Sequence, residues 1–273
     1  MIEKNKTYLV TGGNGFLAQE LISRIIAHGA DVVALCRDIE KANALPEKFE
    51  GIMTVKGDLL HSTSYDALFQ FPIDGVFHLA ALRDIGAAEK SPIEAVKSNI
   101  IGTINILDYS EMNKICKFVV GASTFAADKA TGVYGSTKFL TEKLFGQWKH
   151  KSPDCSYSVL RFGPLLNSPG SVLCKWREAI ENGDKITLTD PSAIRRFVSR
   201  SQVVDEMIKI PEELVEMRTK SVRMGDLLEA FVQVYNSGDK SNVEITGLKE
   251  GEQCNSSGDE EDVMSVEEIK KII

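Results

Sequence analysis

The segment Thr11-Gly12-Gly13-Asn14-Gly15-Phe16-Leu17-Ala18 decides the fold of this 273-residue chain. The apolar run Thr7 to Val10 before it is typical of a short buried strand, and the apolar residues after it recur with a helical period up to Gly29. A glycine-rich turn between a strand and a helix lets the backbone approach a pyrophosphate, and the helix N-terminus presents N–H groups to that anion. The turn therefore predicts a dinucleotide site. Its expected cofactor contacts are Gly12, Asn14, Gly15, Phe16 and Leu17.

Strand-like and helix-like segments alternate through the next part of the chain. Strands are predicted at 31–36, 52–56, 75–79, 117–121 and 157–160, and helices around 63–70, 92–113 and 134–149. This alternation is typical of a parallel sheet with helices on both faces. We therefore predict an α/β fold, a Rossmann-type doubly wound parallel sheet, with a small C-terminal substrate-binding portion.

The pattern changes after about residue 162, where Gly, Pro, Ser and Asn accumulate. Residues 1–162 are predicted to form the dinucleotide-binding domain, and 163–273 mainly a partly interleaved substrate-binding portion. In that portion we predict a strand at 185–188 and helices near 171–182, 201–209, 224–236 and 265–272.

The net charge of -7 gives no electrostatic reason to expect nucleic acid or an anionic membrane as a partner. The sequence has no apolar run of 18 or more residues and no signal-peptide pattern, so we expect a cytoplasmic protein without stable membrane insertion. The five cysteines are far apart and have no zinc-like spacing with histidine, so no metal site is expected.

The end of the second strand bears on the choice of cofactor. There Cys36 is followed by Arg37 and Asp38. A guanidinium can pair with the 2′-phosphate of NADP(H), whereas a carboxylate at this edge would bind the ribose hydroxyls of NAD(H). Arg37 favours NADP(H), and NAD(H) remains possible through Asp38. Asp58 and Leu59 follow the third strand and are expected at the adenine edge.

The predicted reaction centre is built on Tyr134 and Lys138, which lie four residues apart on one helix face. Tyr134 would donate or accept a proton, and Lys138 would lower the pKa of the phenol and hold a ribose hydroxyl. Ser123 and Thr124 follow the fifth strand at the sheet's carboxyl edge, where Thr124 would orient the substrate oxygen.

These motifs resemble the extended short-chain dehydrogenase/reductases, and most closely the inverting UDP-N-acetylglucosamine 4,6-dehydratases of polysaccharide and flagellin-sugar synthesis. The matching segments include His78-Leu-Ala-Ala-Leu82, Pro92 to Gly102, Tyr134-Gly-Ser-Thr-Lys138, Arg161-Phe-Gly163, Gly170-Ser-Val172, Thr189-Asp190-Pro191 and Arg196-Phe197.

The resemblance implies a Rossmann domain, a tightly held NADP(H) or NAD(H), a UDP-sugar substrate and a homodimer or higher homo-oligomer. The dimer would form through the helices near 92–113 and 134–149. Further cofactor contacts are expected from Leu79, Ala80, Ala81 and Asn99. Substrate contacts are expected from Arg83, Ser123, Thr124, Arg196 and Lys249.

One departure from the dehydratases bears directly on the reaction. Those enzymes carry Asp and Lys directly after the Thr, as acid and base for the removal of water. Here the two positions hold Phe125 and Ala126, which cannot transfer protons, and an Asp128-Lys129 pair follows three residues later. That pair is either a re-registered elimination pair or a charged loop.

A reductase of a 4-keto-6-deoxy UDP-amino-sugar needs only Tyr134, Lys138 and Thr124, and this is the leading hypothesis. The alternatives are a 4,6-dehydratase that uses Asp128 and Lys129, a 4-epimerase that recycles its cofactor, and a non-catalytic NADP(H)-binding protein.

Overall fold

The computed structural model describes residues 2–210, 213–235, 243–247 and 262–273. Its strands are β1 (Thr7–Thr11), β2 (Asp31–Cys36), β3 (Ile52–Lys56), β4 (Ile73–His78), β5 (Phe118–Thr124), β6 (Ser156–Phe162), β7 (Ile186–Leu188), β8 (Ile194–Arg195), β9 (Leu214–Glu216), β10 (Val222–Arg223) and β11 (Val243–Ile245).

The helices alternate with the strands in the first part of the chain. They are α1 (Phe16–Ala27), α2 (Ile39–Asn43), α3 (Leu45–Lys48), α4 (Ser62–Leu68), α5 (Ile85–Lys90), α6 (Pro92–Val96), α7 (Gly102–Met112), α8 (Ala126–Lys129), α9 (Val133–Lys151), α10 (Val172–Asn182), α11 (Arg200–Met207), α12 (Met224–Val234) and α13 (Val266–Ile269). A π-helical turn, Lys97–Ile101, joins α6 to α7.

A seven-stranded sheet in the order β3-β2-β1-β4-β5-β6-β9 forms the centre of the fold. Strand β1 pairs in parallel with both β2 and β4, so the strand order reverses beside the carboxyl end of β1. Ligands of doubly wound sheets bind at such a switch point. The predicted Rossmann-type fold is confirmed.

Helix α9 is held close to the sheet by a glycine. A Cβ atom at Gly121 in β5 would lie 2.6 Å from the Phe145 ring, so only glycine lets α9 pack this closely. Phe145 and Trp148 of α9 enter the same apolar core as Val119 of β5 and Val159 of β6. This packing fixes the helix that carries Tyr134 and Lys138.

The chain divides into two compact units. One contains residues 1–161 and 201–216, and the other contains 162–200 and 217–273. Helix α11 and strand β9 therefore belong to the unit that contains the large sheet, although the sequence analysis grouped 163–273 mainly together. The second unit has its own core, in which the rings of Trp176 and Phe231 meet edge to face.

The predicted helix near 92–113 is interrupted by the π-helical turn. Its Asn99 carbonyl accepts hydrogen bonds from the hydroxyls of Thr103 (2.6 Å) and Thr141 (3.2 Å). Turns of this kind inside α-helices are often found at functional sites. None of the helices in the described ranges is both long and apolar enough to cross a membrane.

Candidate active site

The glycine-rich turn after β1 has the shape that a pyrophosphate needs. Gly12 has a φ of +67°, and a Cβ there would lie 3.1 Å from the backbone of Ala80. A Cβ at Gly13 would lie 2.6 Å from the Cβ of Ala34. The Gly15 N–H donates to the Gly12 carbonyl at 2.8 Å, and no side chain caps the start of α1. The turn and the N-terminus of α1 therefore fit a dinucleotide pyrophosphate.

The segment after β4 is fixed beside this turn by Thr11. The Thr11 hydroxyl accepts hydrogen bonds from the backbone N–H groups of Leu79 and Ala80, each at 3.1 Å. His78 is buried between the Thr11 and Thr103 hydroxyls, at 2.9 and 3.1 Å. Burial lowers the pKa of His78 to about 3, so this side chain is neutral and structural at physiological pH. Leu79 to Ala81, which are predicted to contact the cofactor, thus lie beside the glycine-rich turn, and the segment is held there by hydrogen bonds to Thr11.

Two charged residues, Arg37 and Asp38, follow β2, and their contacts differ. The Arg37 side chain is 68% exposed, and its guanidinium lies 3.9 Å from the Asp58 carboxylate. Asp38 caps helix α2 by accepting a hydrogen bond from the Lys41 N–H at 3.2 Å, which lowers the pKa of Asp38. The Leu59 side chain is buried in the core. At this edge Arg37 is therefore the more accessible group.

Tyr134 and Lys138 lie in the first turns of α9. The Lys138 side chain is buried, and desolvation lowers its pKa to about 8 while the charge of Glu142 opposes the change. Burial raises the pKa of Tyr134 to about 12, and here the opposing charge is that of Arg83. Lowering of the phenol pKa by Lys138 is still a prediction, and the charge of Arg83 acts in the same direction.

Several contacts fix the start of α9. The Glu89 carboxylate accepts a hydrogen bond from the Val133 N–H at 2.7 Å. The Ser136 hydroxyl donates to the Ala130 carbonyl at 3.0 Å. A Cβ at Gly135 would lie 2.5 Å from the Ala126 carbonyl oxygen, so glycine allows α8 to pack against this turn. Glu89 could not be identified from the sequence, because α5 has no clear amphipathic pattern.

Asn99 connects the loop after β4 to α9. Its side-chain oxygen accepts from the Leu82 N–H at 2.7 Å, and its amide nitrogen donates to the Leu82 carbonyl and the Thr137 hydroxyl, each at 3.0 Å. The residue is 1% exposed. These bonds position Leu82 and the helix that carries Tyr134, whereas contact of Asn99 with a cofactor is still a prediction.

The predicted hydroxyl pair, Ser123 and Thr124, forms the carboxyl end of β5. The Thr124 hydroxyl accepts a hydrogen bond from the Ala126 N–H at 3.3 Å, which helps to begin α8. Ser123 is buried and donates to the Glu142 carboxylate at 2.6 Å, so its hydroxyl has a partner within the protein. Thr124 remains the half-buried hydroxyl at this edge.

The residues after Thr124 differ in burial and contacts. Phe125 is buried, whereas Asp128 and Lys129 are exposed. The Asp128 carboxylate lies 3.5 Å from the guanidinium of Arg161. Asp128 is thus part of an ion pair in the unit that contains the large sheet.

Two residues predicted to contact the substrate, Arg196 and Lys249, lie in the second half of the chain, and only Arg196 is among the residues that the structure describes. Arg196 lies directly after β8. Its carbonyl oxygen lies so close to Gly163 that no side chain would fit at residue 163. The Val198 N–H donates to the Pro164 carbonyl at 3.1 Å, which aligns the two segments. Lys249 lies outside the described residues. No group of three or more His, Cys, Asp or Glu suited to a metal ion occurs in the described parts of the chain.

Residues 8–272 match the family model described as polysaccharide biosynthesis protein. The chain belongs to the polysaccharide biosynthesis protein family. This assignment confirms the predicted membership in the extended short-chain dehydrogenase/reductases and in their polysaccharide biosynthesis subgroup.

Family members and solved structures resemble the chain over almost its whole length. The uncharacterized membrane protein MJ1061 of Methanocaldococcus jannaschii is 31% identical, over 98% of this chain and 84% of that protein. The UDP-glucose 4-epimerase of Rickettsia massiliae is 28% identical, over 98% of this chain and 80% of that protein. The X-ray structure of Pen from Bacillus thuringiensis superposes with a TM-score of 0.87 at 28% identity, covering 93% of this chain and 83% of Pen.

Proposed function

We propose that this member of the polysaccharide biosynthesis protein family is an NADPH-dependent reductase of a 4-keto-6-deoxy UDP-amino-sugar. One observation carries the proposal. The site retains Tyr134, Lys138 and Thr124, while the two positions after Thr124 hold Phe125 and Ala126. The groups needed to transfer a hydride and a proton are present, and the pair needed to remove water is replaced by apolar residues.

Tyr134 is suited to donate a proton. With its pKa raised to about 12, the phenol stays protonated at neutral pH. A bound NADPH would supply a hydride for C4 of the keto sugar. Tyr134 would donate its proton to the carbonyl oxygen at C4, which Thr124 would orient, so that the ketone would become a hydroxyl group and NADP⁺ would be formed.

Lys138 supplies a positive charge one helical turn from Tyr134. Its ammonium group is protonated below pH about 8 and is therefore available to hold a ribose hydroxyl at neutral pH. Arg83 would contact the substrate beside the Tyr134 phenol, whose pKa its charge lowers. Arg196 and Lys249 remain proposed contacts of the UDP diphosphate, since their charge suits an anion.

The surroundings of Asp128 weigh against a dehydratase. Its partner Arg161 also binds Glu142 and Glu216, so Asp128 belongs to a network of ion pairs. A general acid or base must reach the reacting group of the substrate. Asp128 and Lys129 accordingly belong to a charged helical turn, α8, that takes no part in elimination.

The preference for NADP(H) rests on the different contacts of Arg37 and Asp38. Arg37 is largely exposed at the end of β2, where a guanidinium can pair with a 2′-phosphate. Asp38 already accepts the hydrogen bond that begins α2. NAD(H) would need Asp38 to give up that bond or to share its carboxylate.

A 4-epimerase is the second candidate, because the Rickettsia massiliae relative carries that name and aligns with 98% of this chain. An epimerase would use the same Tyr134 and Thr124 but would return its cofactor unchanged. Net consumption of NADPH therefore separates the two functions.

A homodimer would bury an apolar surface of the unit that contains the large sheet. Exposed apolar side chains occur on 92–101 and on α9, namely Ile93, Val96, Ile101, Phe139 and Leu140. An unpaired apolar surface of this kind is typical of an interface. We propose a second copy of the chain as its partner.

The experiment supplies purified protein with NADPH and UDP-2-acetamido-2,6-dideoxy-4-keto-hexose, and follows nicotinamide absorbance together with the mass of the sugar nucleotide. The proposal predicts stoichiometric loss of NADPH and a product two hydrogens heavier. Water loss from UDP-N-acetylglucosamine supplied alone would instead identify a dehydratase. A sugar isomer formed without NADPH consumption would identify an epimerase.

A further inference from the structure

A cluster of charged residues with a buried centre lies at the carboxyl edge of the large sheet, and its central residue is Arg161 at the end of β6. The Glu142 carboxylate binds this guanidinium through two hydrogen bonds, from Nε at 3.0 Å and from Nη2 at 2.7 Å. The Ser123 hydroxyl donates to the same carboxylate at 2.6 Å. Arg161 Nη1 also contacts Asp128 and Glu216. The cluster thus joins β5, β6, β9, α8 and α9.

The two principal side chains of this cluster are almost completely buried. The side chains of Arg161 and Glu142 are 8% and 7% exposed. A two-point pair between guanidinium and carboxylate fixes both direction and distance, and in such a buried setting it is rigid. The Glu142 carboxylate is therefore a fixed point on α9.

This fixed point adjoins the candidate catalytic groups on two sides. Glu142 lies four residues after Lys138, one turn further along the same face of α9. Ser123, which donates to Glu142, directly precedes Thr124 in β5. The cluster therefore connects the strand that carries the hydroxyl to the helix that carries the phenol and the ammonium group.

We propose that Glu142 is a positioning residue of the active site: it holds the Ser123-Thr124 end of β5 against α9, and its negative charge acts on Lys138. Glu142 itself transfers no proton, because both of its carboxylate oxygens are engaged by Arg161 and Ser123. The effect on turnover rests on the proposed reductase function. The effect on Lys138 does not.

The charge of Glu142 opposes the desolvation of Lys138. Burial alone lowers the pKa of Lys138, and Glu142 raises it. Burial and, in turn, the charge of Lys138 lower the pKa of His78 in β4 to about 3, so His78 is neutral near pH 7. Glu142 is thus an anion that favours the protonated form of Lys138.

Two other carboxylates on elements packed against α9 have partners other than Lys138. Glu89 of α5 accepts the Val133 N–H, and Asp128 of α8 pairs with Arg161. The positive charge of Arg161 pairs with the Glu142 carboxylate and partly offsets its charge. Removal of the Glu142 charge alone would leave that positive charge to disfavour the ammonium form of Lys138.

A nuclear magnetic resonance titration tests this inference without any substrate. The full chain is labelled with ¹³C at lysine Cε, and the Lys138 signal is assigned by its loss in Lys138→Met. The variants are Glu142→Gln, which removes the charge, and Glu142→Asp, which keeps the charge but withdraws it by one methylene. Glu111→Gln is the matched control, because Glu111 pairs at 2.6 Å with Lys151 at the far end of α9.

The wild-type Lys138 signal should titrate near pH 8, and Glu142→Gln should move its midpoint down by about one pH unit, the size expected for loss of one nearby charge. Glu142→Asp and Glu111→Gln should leave the midpoint close to the wild-type value. If Glu142→Gln does not fold, the inference is tested by Ser123→Ala and Glu142→Asp. Both variants keep the negative charge at position 142 but alter the hydrogen bond between residues 123 and 142.

Turnover provides the second readout, and it distinguishes positioning from a general structural effect. Ser123→Ala and Glu142→Asp should lower kcat about 10-fold or more while KM for NADPH changes about twofold at most, because misplacement of Thr124 affects the reaction more than cofactor binding. An unchanged Lys138 midpoint in Glu142→Gln, or unchanged kcat in both charge-retaining variants, would overturn the inference. If the midpoint moves but no variant or wild-type protein oxidises NADPH, the proposed function fails and the action of Glu142 on Lys138 stands.

Discussion

The Asp128 carboxylate pairs with the Arg161 guanidinium at 3.5 Å, so the acidic residue closest in sequence to Thr124 belongs to an ion-pair network. In the family that this chain resembles, acid and base for elimination directly follow the Thr. Here those positions are apolar, and the displaced acid has a structural partner. This relationship favours the proposed reductase over a dehydratase that would use Asp128 for elimination.

Asp128→Asn should leave turnover within about twofold of the wild type, because the side chain is 45% exposed and a partly exposed ion pair contributes about 0–1 kcal/mol. Steady-state NADPH oxidation and thermal unfolding measure the two effects. Lys129→Ala is the matched variant, and its turnover should likewise stay close to that of the wild type. Loss of more than about 100-fold in either variant, the scale of a missing general acid or base, would show that the pair is catalytic.

The pH profile should follow Lys138. Because its pKa is lowered to about 8, the ammonium group is present below that pH and is lost as the pH rises through it. NADPH affinity and turnover should therefore fall above pH about 8. The guanidinium of Lys138→Arg stays charged throughout, so this variant should lack the alkaline fall. A wild-type profile that stays flat through this range would contradict the role of Lys138.

Arg37→Ser should weaken NADPH binding by about 10- to 100-fold, the range expected for one lost charge-assisted pair with a phosphate. NADH binding should change by no more than about twofold, because NADH lacks the 2′-phosphate. Calorimetric titration with both dinucleotides measures this difference. Equal losses for NADPH and NADH would assign Arg37 to the fold of the adenine edge instead of to phosphate recognition.

The wild-type protein should be a dimer in solution, and Ile93→Asp and Leu140→Asp should convert it to a monomer. Both side chains are exposed in the single chain, at 70% and 49%. A charge at the centre of an apolar interface opposes association because it must be desolvated. Light scattering after size exclusion measures the mass. Ile245→Asp, at a residue 56% exposed in the other unit, is the control that should stay dimeric.

The sequence predicted the parts of this fold that depend on local patterns. The strands from β1 to β6 are apolar runs, and the turn at Gly12 needs a left-handed backbone that glycine adopts without strain. Strand β9 could not be predicted, because Leu214–Glu216 is short, largely exposed and lies at the edge of the sheet. A strand of this kind has no alternating or buried apolar pattern.

The arrangement around the candidate catalytic residues was only partly predictable. Tyr134, Lys138 and Thr124 carried a recognisable spacing. The contacts of Asn99 with Leu82 and of Glu142 with Arg161 join residues 17 and 19 positions apart, across different elements. No local pattern encodes such pairs. The spacing of four from Lys138 to Glu142 was the one available signal, since it places both on one helix face.

The most direct test of the central claim uses NADPH carrying two deuterium atoms at C4 of the nicotinamide, so that either face delivers deuterium. It is supplied with the 4-keto-6-deoxy UDP-amino-sugar, and Tyr134→Phe serves as the control that lacks the proton donor. A reductase should place one deuterium on C4 of the sugar and one solvent hydrogen on the oxygen, with an equal amount of NADP⁺ formed. In Tyr134→Phe this rate should fall about 100-fold or more. A sugar product without deuterium, formed with no net NADP⁺, would contradict the account and identify an enzyme that recycles its cofactor.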